Sequence, residues 1–403
     1  MIDFKNSTIT PNFENLNFLY DQILSRKQGF VDLSKTQIAV ANQVLDWQKA
    51  QKNWKNVVIL GIGGSMLGPK TVLEALNQNT ETNIICLDNI DPFVMEKKTK
   101  NLDLRDTIFL VQTKSGATPE TLAQYFYFEK LVKKANLNHK EHFVFVTDPK
   151  VGYLRQISDG FTTFEVPENV GGRFSVITPI SFVVSSLVGI DILELVRGSK
   201  ITSQIKKDAF QLAQTQLKLS EKGYNINVFM PYSSRLNLLS NWFVQLLAES
   251  IGKEKNLKGE IVKTGITPLP SLGATDQHSQ SQLFVDGPDD KLIIFVNVLN
   301  HNSKITIPAN LPPQFEFLQG VSFEKLIQAE FEATRTSYTE KNKPNCTIEM
   351  PEINAFEIGK IFILLELATA FLGEMLQIDT FDQPGVERSK VLTKQYLTHP
   401  SQS

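Results

Sequence analysis

A mostly parallel, doubly wound α/β architecture is the expectation for this chain of 403 residues, and three features carry it. Short β-branched apolar runs alternate with segments of helical periodicity, the pattern of strands buried on both faces and joined by crossover helices. A glycine-rich turn directly follows the first such run, at the carboxyl edge where open α/β sheets bind ligands. The length exceeds what one hydrophobic core supports, and at about 150 residues per domain two or three units are expected.

Residues 35–49 place Ile38, Ala41, Val44 and Leu45 at helical spacing, and Asn56-Val57-Val58-Ile59-Leu60 then reads as a buried strand. Runs of the same kind recur at 83–87, 107–111 and 142–147, with helix-like segments between the early ones at 71–76 and 120–135. After the apolar stretch 179–188 the rhythm restarts, with a polar helix-like run at 205–223 and strands at 225–229 and 291–296, so a second α/β domain is expected. Segment 350–375 is again helical in character, and a terminal region containing 383–390 follows with no evident strand. No internal repeat stands out.

Composition narrows the classes of function. Hydrophobic residues make up 41% and charged residues 21%, as in an ordinary globular protein rather than a disordered one. Forty-one Lys and Arg face forty-three Asp and Glu, and the formal charge of -2 argues against binding nucleic acid or an anionic membrane through a broad basic field. Any anionic ligand must be held locally. The only cysteines, Cys86 and Cys346, are far apart and outside any CxxC or Cys/His spacing, so no disulfide framework or zinc site is expected and they read as incidental thiols of a reducing compartment. Residues 1–17 lack the basic region and apolar run of a secretory signal, and no stretch approaches the roughly 18 apolar residues of a membrane span, so the expected location is cytoplasmic.

Six segments carry candidate chemistry. In Gly61-Ile62-Gly63-Gly64-Ser65-Met66-Leu67-Gly68, between strand and helix start, glycine lets the backbone approach a ligand and amides point at an anion, phosphate first among them. A dinucleotide fingerprint would need glycine where Met66 stands, although Asp88 at the end of the next strand keeps that reading open, as it does a merely tight turn. A P-loop would need a Gly-Lys-Ser/Thr ending that is absent. Thr113-Lys114-Ser115-Gly116-Ala117-Thr118-Pro119-Glu120-Thr121 follows the 107–111 strand, so its hydroxyls lie beside the first loop. Hydroxyls and helix N-terminal amides can hold a phosphate dianion without a large positive charge. A plain N-cap at Ser115 or Thr118 is the alternative, and the two are compatible.

Gly171-Gly172-Arg173-Phe174-Ser175 delivers an arginine into a crowded turn, where a guanidinium can neutralise a developing oxyanion, unless Arg173 is only a surface residue. In 245–253, Gln245 precedes Glu249 by one helical turn on a segment with Trp242, Leu246 and Leu247 as its buried face. A carboxylate in such surroundings can be tuned toward a general base, whereas most helix glutamates are simply solvated. Gly273-Ala274-Thr275-Asp276-Gln277-His278-Ser279 puts His278, one of five histidines, on a turn-rich loop, catalytic or merely exposed. Gln383-Pro384-Gly385-Val386-Glu387-Arg388-Ser389-Lys390 is a Pro-Gly turn leading toward a helix, with Lys390 plainly readable as a solvated side chain.

Together and in this order, the six segments span about residues 57–390 and resemble the phosphoglucose isomerase family, in its short bacterial-type form, through the patterns GIGGSxLGP, SKSGTTxET, GGRxS, ESxGK, GxxxQH and QxGVExxK. The resemblance implies two sugar-isomerase (SIS) domains, each a flavodoxin-like parallel sheet flanked by helices in three αβα layers. It divides the chain into an N-terminal helical part of the large domain at 1–47, a smaller SIS domain at 48–186 inserted into the larger, the larger SIS domain at 187–375, and a C-terminal segment at 376–403 completing the active site. The implied activity interconverts glucose 6-phosphate and fructose 6-phosphate, by ring opening and proton transfer through a cis-enediolate, in glycolysis and gluconeogenesis.

By the same resemblance Gly64, Ser65, Thr113, Ser115 and Thr118, with Lys114 beside them, hold the sugar phosphate, while Gln245 and Gln383 position the substrate. Glu249 moves the proton between C1 and C2 and Arg173 steadies the enediolate. His278 and Lys390 assist ring opening, with His278 reaching across from the partner of a homodimer. Thr113 replaces the usual Ser, Ala117 stands where Thr is common, and Arg388-Ser389 depart from the usual small residues before Lys390. Such a shift needs a base, an electrophilic stabiliser and a phosphate anchor, so no cofactor or metal is expected. Two rivals are a broader isomerase that also accepts mannose 6-phosphate and a catalytically silent sugar-phosphate sensor. Retention of Glu249, Arg173, His278 and Lys390 together argues against the sensor.

Overall fold

The structure is a computed structural model and describes residues 2–398. Along the chain the strands are β1 (Ile2–Asp3), β2 (Asn56–Leu60), β3 (Asn83–Leu87), β4 (Thr107–Thr113), β5 (Phe143–Thr147), β6 (Thr162–Glu165), β7 (Ile226–Pro231), β8 (Lys253–Lys255), β9 (Ile261–Thr264), β10 (Thr267–Pro270), β11 (Lys291–Asn300) and β12 (Asn345–Glu352). One sheet is all parallel, in the order β3-β2-β4-β5-β6. Counted from its own first strand this is the 2-1-3-4-5 winding of flavodoxin-like folds, with the switch point between β2 and β4. The second sheet, β1-β12-β11-β7-β10, winds its parallel strands in the same sense and adds β1 antiparallel at one edge. Strand β1 comes before the first sheet begins and the rest of its sheet comes after that sheet ends, so the chain leaves the second sheet and returns to it.

The central strands β2 and β4, read from β-branched runs, are covered on both faces: Val57 through Leu60 and Ile108 through Val111 are fully buried. Apart from β12, the strands that such runs do not reveal are edges or short. Strand β10 carries Pro268 and Pro270, which cannot donate to a central ladder, and it sits at the edge beside β7. Segment 350–375, expected as helical throughout, begins as strand. Ile348 and Met350 are buried while Glu349 and Pro351 are exposed, a period of two, and β12 ends only at Glu352. Asn354 then caps the helix Ala355–Met375, its side chain accepting from the Glu357 N–H at 2.9 Å.

That helix is buried on nearly every face, packed against the helices Ile192–Gly198, Ser203–Ser220 and Asn237–Ile251. Among the described residues no helix is long and apolar enough to cross a membrane. Both thiols are free, and burial pushes Cys86 up to about 11 and Cys346 up to about 12.

Glu366 lies in the middle of this buried helix, fully covered, and neither carboxyl oxygen has a hydrogen-bond partner among the described residues. Burial therefore raises its pKa well above the ordinary carboxylate value, and the folded state retains a proton that the unfolded chain releases. The folded pKa is the higher one, so stability is complete below the unfolded value and declines as pH rises toward the folded value. Glu366→Met is expected to stabilise the protein by about 1–3 kcal/mol at neutral pH and to flatten that decline. Thermal unfolding midpoints of both proteins across pH 5 to about 8 check this, and parallel curves would refute it.

Candidate active site

The first loop rises from β2 at the switch point and turns through the short 3₁₀ segment Gly63–Ser65. Gly63 needs its glycine, with φ +56°. At Gly64 the reason is crowding: a Cβ there would overlap the Gly172 carbonyl and stand 2.8 Å from the Arg173 nitrogen. A Cβ at Gly63 would lie 3.1 Å from Gln245 Nε2. The loop is thus wedged between the turn Gly172–Phe174 and the helix Asn237–Ile251, with Ser65 buried at its end. Asp88, on which a dinucleotide reading depended, is engaged by Lys70 Nζ at 2.7 Å.

On the neighbouring strand end, three hydroxyls converge. Thr113 Oγ1 lies 2.7 Å from Thr118 Oγ1 and 3.3 Å from Ser115 Oγ, and the latter two are 3.3 Å apart. Thr118 occupies the N-cap position of the helix Pro119–Lys134, yet its side chain makes no capping bond. Of the two capping candidates, Thr118 therefore does not cap with its hydroxyl, while Ser115 Oγ accepts from the Ala117 N–H at 3.3 Å. Lys114 gives a donor to the Glu168 carbonyl at 2.9 Å, and burial lowers its pKa against the opposing pull of Asp148 and Glu168.

Arg173 is buried, its side chain 2% exposed, so it is no surface residue. Its Nε donates to Ser250 Oγ at 2.8 Å, Nη1 to Gln383 Oε1 at 2.8 Å and to Glu249 Oε2 at 3.4 Å, and Nη2 to the carbonyls of Thr380 at 2.5 Å and Asp382 at 3.1 Å. Burial draws its pKa below the usual guanidinium value, with Glu249 and then Asp382 pulling the other way. Glu249 holds its other oxygen, Oε1, against Gln245 Nε2 at 3.0 Å. Its side chain is 35% exposed, so this carboxylate faces a guanidinium and open space rather than an apolar pocket. Charge development beside Glu249 would meet a fixed cation that has already shed its water, the arrangement that stabilises an oxyanion.

His278 and Lys390 stay outside these networks. His278 is exposed at the end of the turn Thr275–His278, which Asp276 braces by accepting from the Leu272 N–H at 2.7 Å and the Ser279 hydroxyl at 2.5 Å. Lys390 pairs with Glu387 at 2.6 Å on the helix Glu387–Thr398, none of whose residues is buried. Sequence reading did not single out Ser250, Lys253, Thr380 or Asp382 as site residues. Ser250 and Lys253 stood inside the ESxGK pattern, but a main-chain acceptor such as the Thr380 carbonyl leaves no residue-type signal. Among the described residues no group of three or more His, Cys, Asp or Glu is arranged to hold a metal ion.

Comparison with known proteins bears on this geometry. A sequence model of the family described as phosphoglucose isomerase matches residues 35–403. Glucose-6-phosphate isomerase of Carboxydothermus hydrogenoformans is 41% identical over 369 residues, covering 86% of this chain and 79% of that one. A crystal structure described as a hypothetical protein of Thermus thermophilus superposes with a TM-score of 0.89 at 33% identity, covering 98% of this chain and 99% of its own. A glucose-6-phosphate isomerase of Chlamydia trachomatis shares the fold, with a TM-score of 0.79 at 24% identity over 90% of this chain and 74% of that one.

The wedged loop yields a contrast between two glycines. Gly64→Ala must push main chain away, at a cost of about 1–3 kcal/mol, with loss of activity as Arg173 shifts. Gly172→Ala adds a Cβ that meets nothing within 4 Å and is expected to unfold at the parent temperature. Calorimetric melting of the pair checks the assignment, and equal tolerance of both changes would refute it.

Proposed function

This chain belongs to the phosphoglucose isomerase family, and on that premise we propose which of its residues carry each step of the reaction. The activity is the interconversion of glucose 6-phosphate and fructose 6-phosphate, a step of glycolysis and gluconeogenesis. The observation that carries the assignment is the contact of Arg173 with Glu249, a carboxylate base and a buried cation 3.4 Å apart beside a glycine loop at a sheet switch point.

In the aldose-to-ketose direction Glu249 takes the proton from C2 of the open-chain sugar. The C2–H electron pair becomes the C1=C2 double bond, and the C1 carbonyl oxygen takes up the negative charge, forming the cis-enediolate. Arg173 neutralises that charge, while Gln245 keeps the carboxylate oriented by holding Oε1. Glu249 returns its proton to C1, and the C2 hydroxyl proton ends on O1. Ser65, Thr113, Ser115 and Thr118 bind the phosphate, with the Gly64 backbone and Lys114 beside them, and Gln383 positions the sugar while bracing Arg173. The three clustered hydroxyls support this role, because each can turn from its neighbour to donate to a phosphate oxygen.

Ring opening is assigned to Lys390 and to His278 of a second copy in a homodimer. The support is that His278 sits exposed on a braced turn outside the Arg173 network, and that the helix bearing Lys390 buries no residue within its own chain. A cytoplasmic location accords with the two unpaired, high-pKa thiols.

A coupled assay tests the assignment, with fructose 6-phosphate as substrate and an NADP-dependent dehydrogenase reporting glucose 6-phosphate. Glu249→Gln is expected to lower kcat by about 10²–10⁴-fold with phosphate-analogue binding retained, and a kcat near the parent value would overturn the base assignment. Ser65→Ala is expected chiefly to raise KM. Mixing and refolding the inactive variants Glu249→Gln and His278→Ala together should restore activity, because one site of each heterodimer then draws both intact residues from different chains. Absence of any recovery would place His278 in the same chain as its Glu249.

A further inference from the structure

Lys253 closes the pattern that contains Glu249, yet none of the steps above uses it. Its side chain is 5% exposed. Nζ donates to the Glu249 carbonyl at 2.9 Å and to the Asp382 carbonyl at 2.5 Å, and lies 2.9 Å from Asp382 Oδ1. Two of the ammonium's three N–H donors are thus met by main-chain carbonyls, and the Asp382 carboxylate supplies the counter-charge. A buried lysine with carbonyl acceptors and a carboxylate at hand is an energetically consistent arrangement, and loss of those partners would leave its buried charge uncompensated.

What the three acceptors have in common is the catalytic pair. The Glu249 carbonyl belongs to the last turn of the helix Asn237–Ile251, where a cation also complements the helix end. The Asp382 carbonyl is shared: Lys253 donates to it from one side and Arg173 Nη2 from the other, at 3.1 Å. Asp382 adjoins Gln383, whose side chain accepts from Arg173 Nη1. One ammonium therefore grips both the residue that bears the base and the strap that seats the guanidinium opposite it.

We propose that Lys253, together with Asp382, is a positioning residue for the isomerisation: it fixes the 380–383 strap against the helix end and so sets the placement of Arg173 relative to Glu249. The inference rests on the reading of Glu249 as base and Arg173 as stabiliser.

The test is steady-state kinetics on full-length Lys253→Met, with fructose 6-phosphate as substrate and inorganic phosphate as competitive probe of the hydroxyl cluster. The expected result is a kcat lower by about 10²-fold, the penalty for misplacing a reacting group by an ångström, with the inhibition constant of phosphate within about threefold of the parent. A general structural defect would instead weaken phosphate inhibition together with kcat, and that outcome overturns the proposal, as does an unchanged kcat. Should Lys253→Met fail to fold, Asp382→Asn supplies the same readout, since that side chain is half exposed and its main-chain acceptor survives the change. Its expected kcat loss is smaller, about tenfold, with phosphate inhibition again preserved, and no loss overturns the role. Glu249→Gln measured alongside separates the two readings: parent-like kcat there refutes the base assignment, whereas a large loss there with parent-like Lys253→Met refutes the positioning role alone.

Discussion

The guanidinium of Arg173 is buried with all five of its N–H donors directed at acceptors on other segments. A cation taken out of water is costly unless every donor is met and a counter-charge is near. Here those conditions are satisfied by three stretches of chain that are remote in sequence: the turn Gly172–Phe174 that carries the arginine, the end of the helix Asn237–Ile251, and the strap around 380–383. None of the three can shift without stranding part of the charge. The energetic requirement of one side chain thus becomes a geometric requirement on the surroundings of Glu249.

The two sheets prepare that meeting. Both wind in the flavodoxin-like sense, so each has a switch point where successive connections leave to opposite faces. At the switch point of the first sheet, the loop after β2 and the loop after β4 leave adjacent strands, and one reaches the Arg173 turn while the other gathers hydroxyls. The Gly61-to-Ser65 loop touches the Gly172 turn on one side and Gln245 on the other. Rigid strands fix the origins of these loops, and the close approach of the backbone fixes their ends.

Much of this was legible in the sequence because the signals were local. Strands such as Asn56–Leu60 and Asn83–Leu87 announce themselves by β-branched runs, and their bounds in the structure are those read from the residues. The pairing of Gln245 with Glu249 follows from helical spacing alone. Other features had no local signature. Strand β10 contains two prolines and is defined only by its neighbour β7, and β12 was hidden because Glu349, Pro351 and Glu352 interrupt its apolar residues, so that no continuous run marks it. The acceptors of Arg173 at Thr380 and Asp382 are carbonyls, identical in every residue type. Thr118 looked like a cap by position, and only the structure shows its hydroxyl turned toward Thr113 instead.

Gly64 illustrates a further kind of constraint. The obstacle to any side chain at this position is the carbonyl of Gly172, which is main chain and present whatever residue occupies 172. No exchange of side chains elsewhere can make room, since what would have to move is the path of the chain itself. The position is therefore closed to neutral drift and also to rescue by a second substitution. Descendants of this sequence can vary the chemistry that surrounds the loop, but they inherit the absence of a side chain at 64 as a condition of having the turn at all.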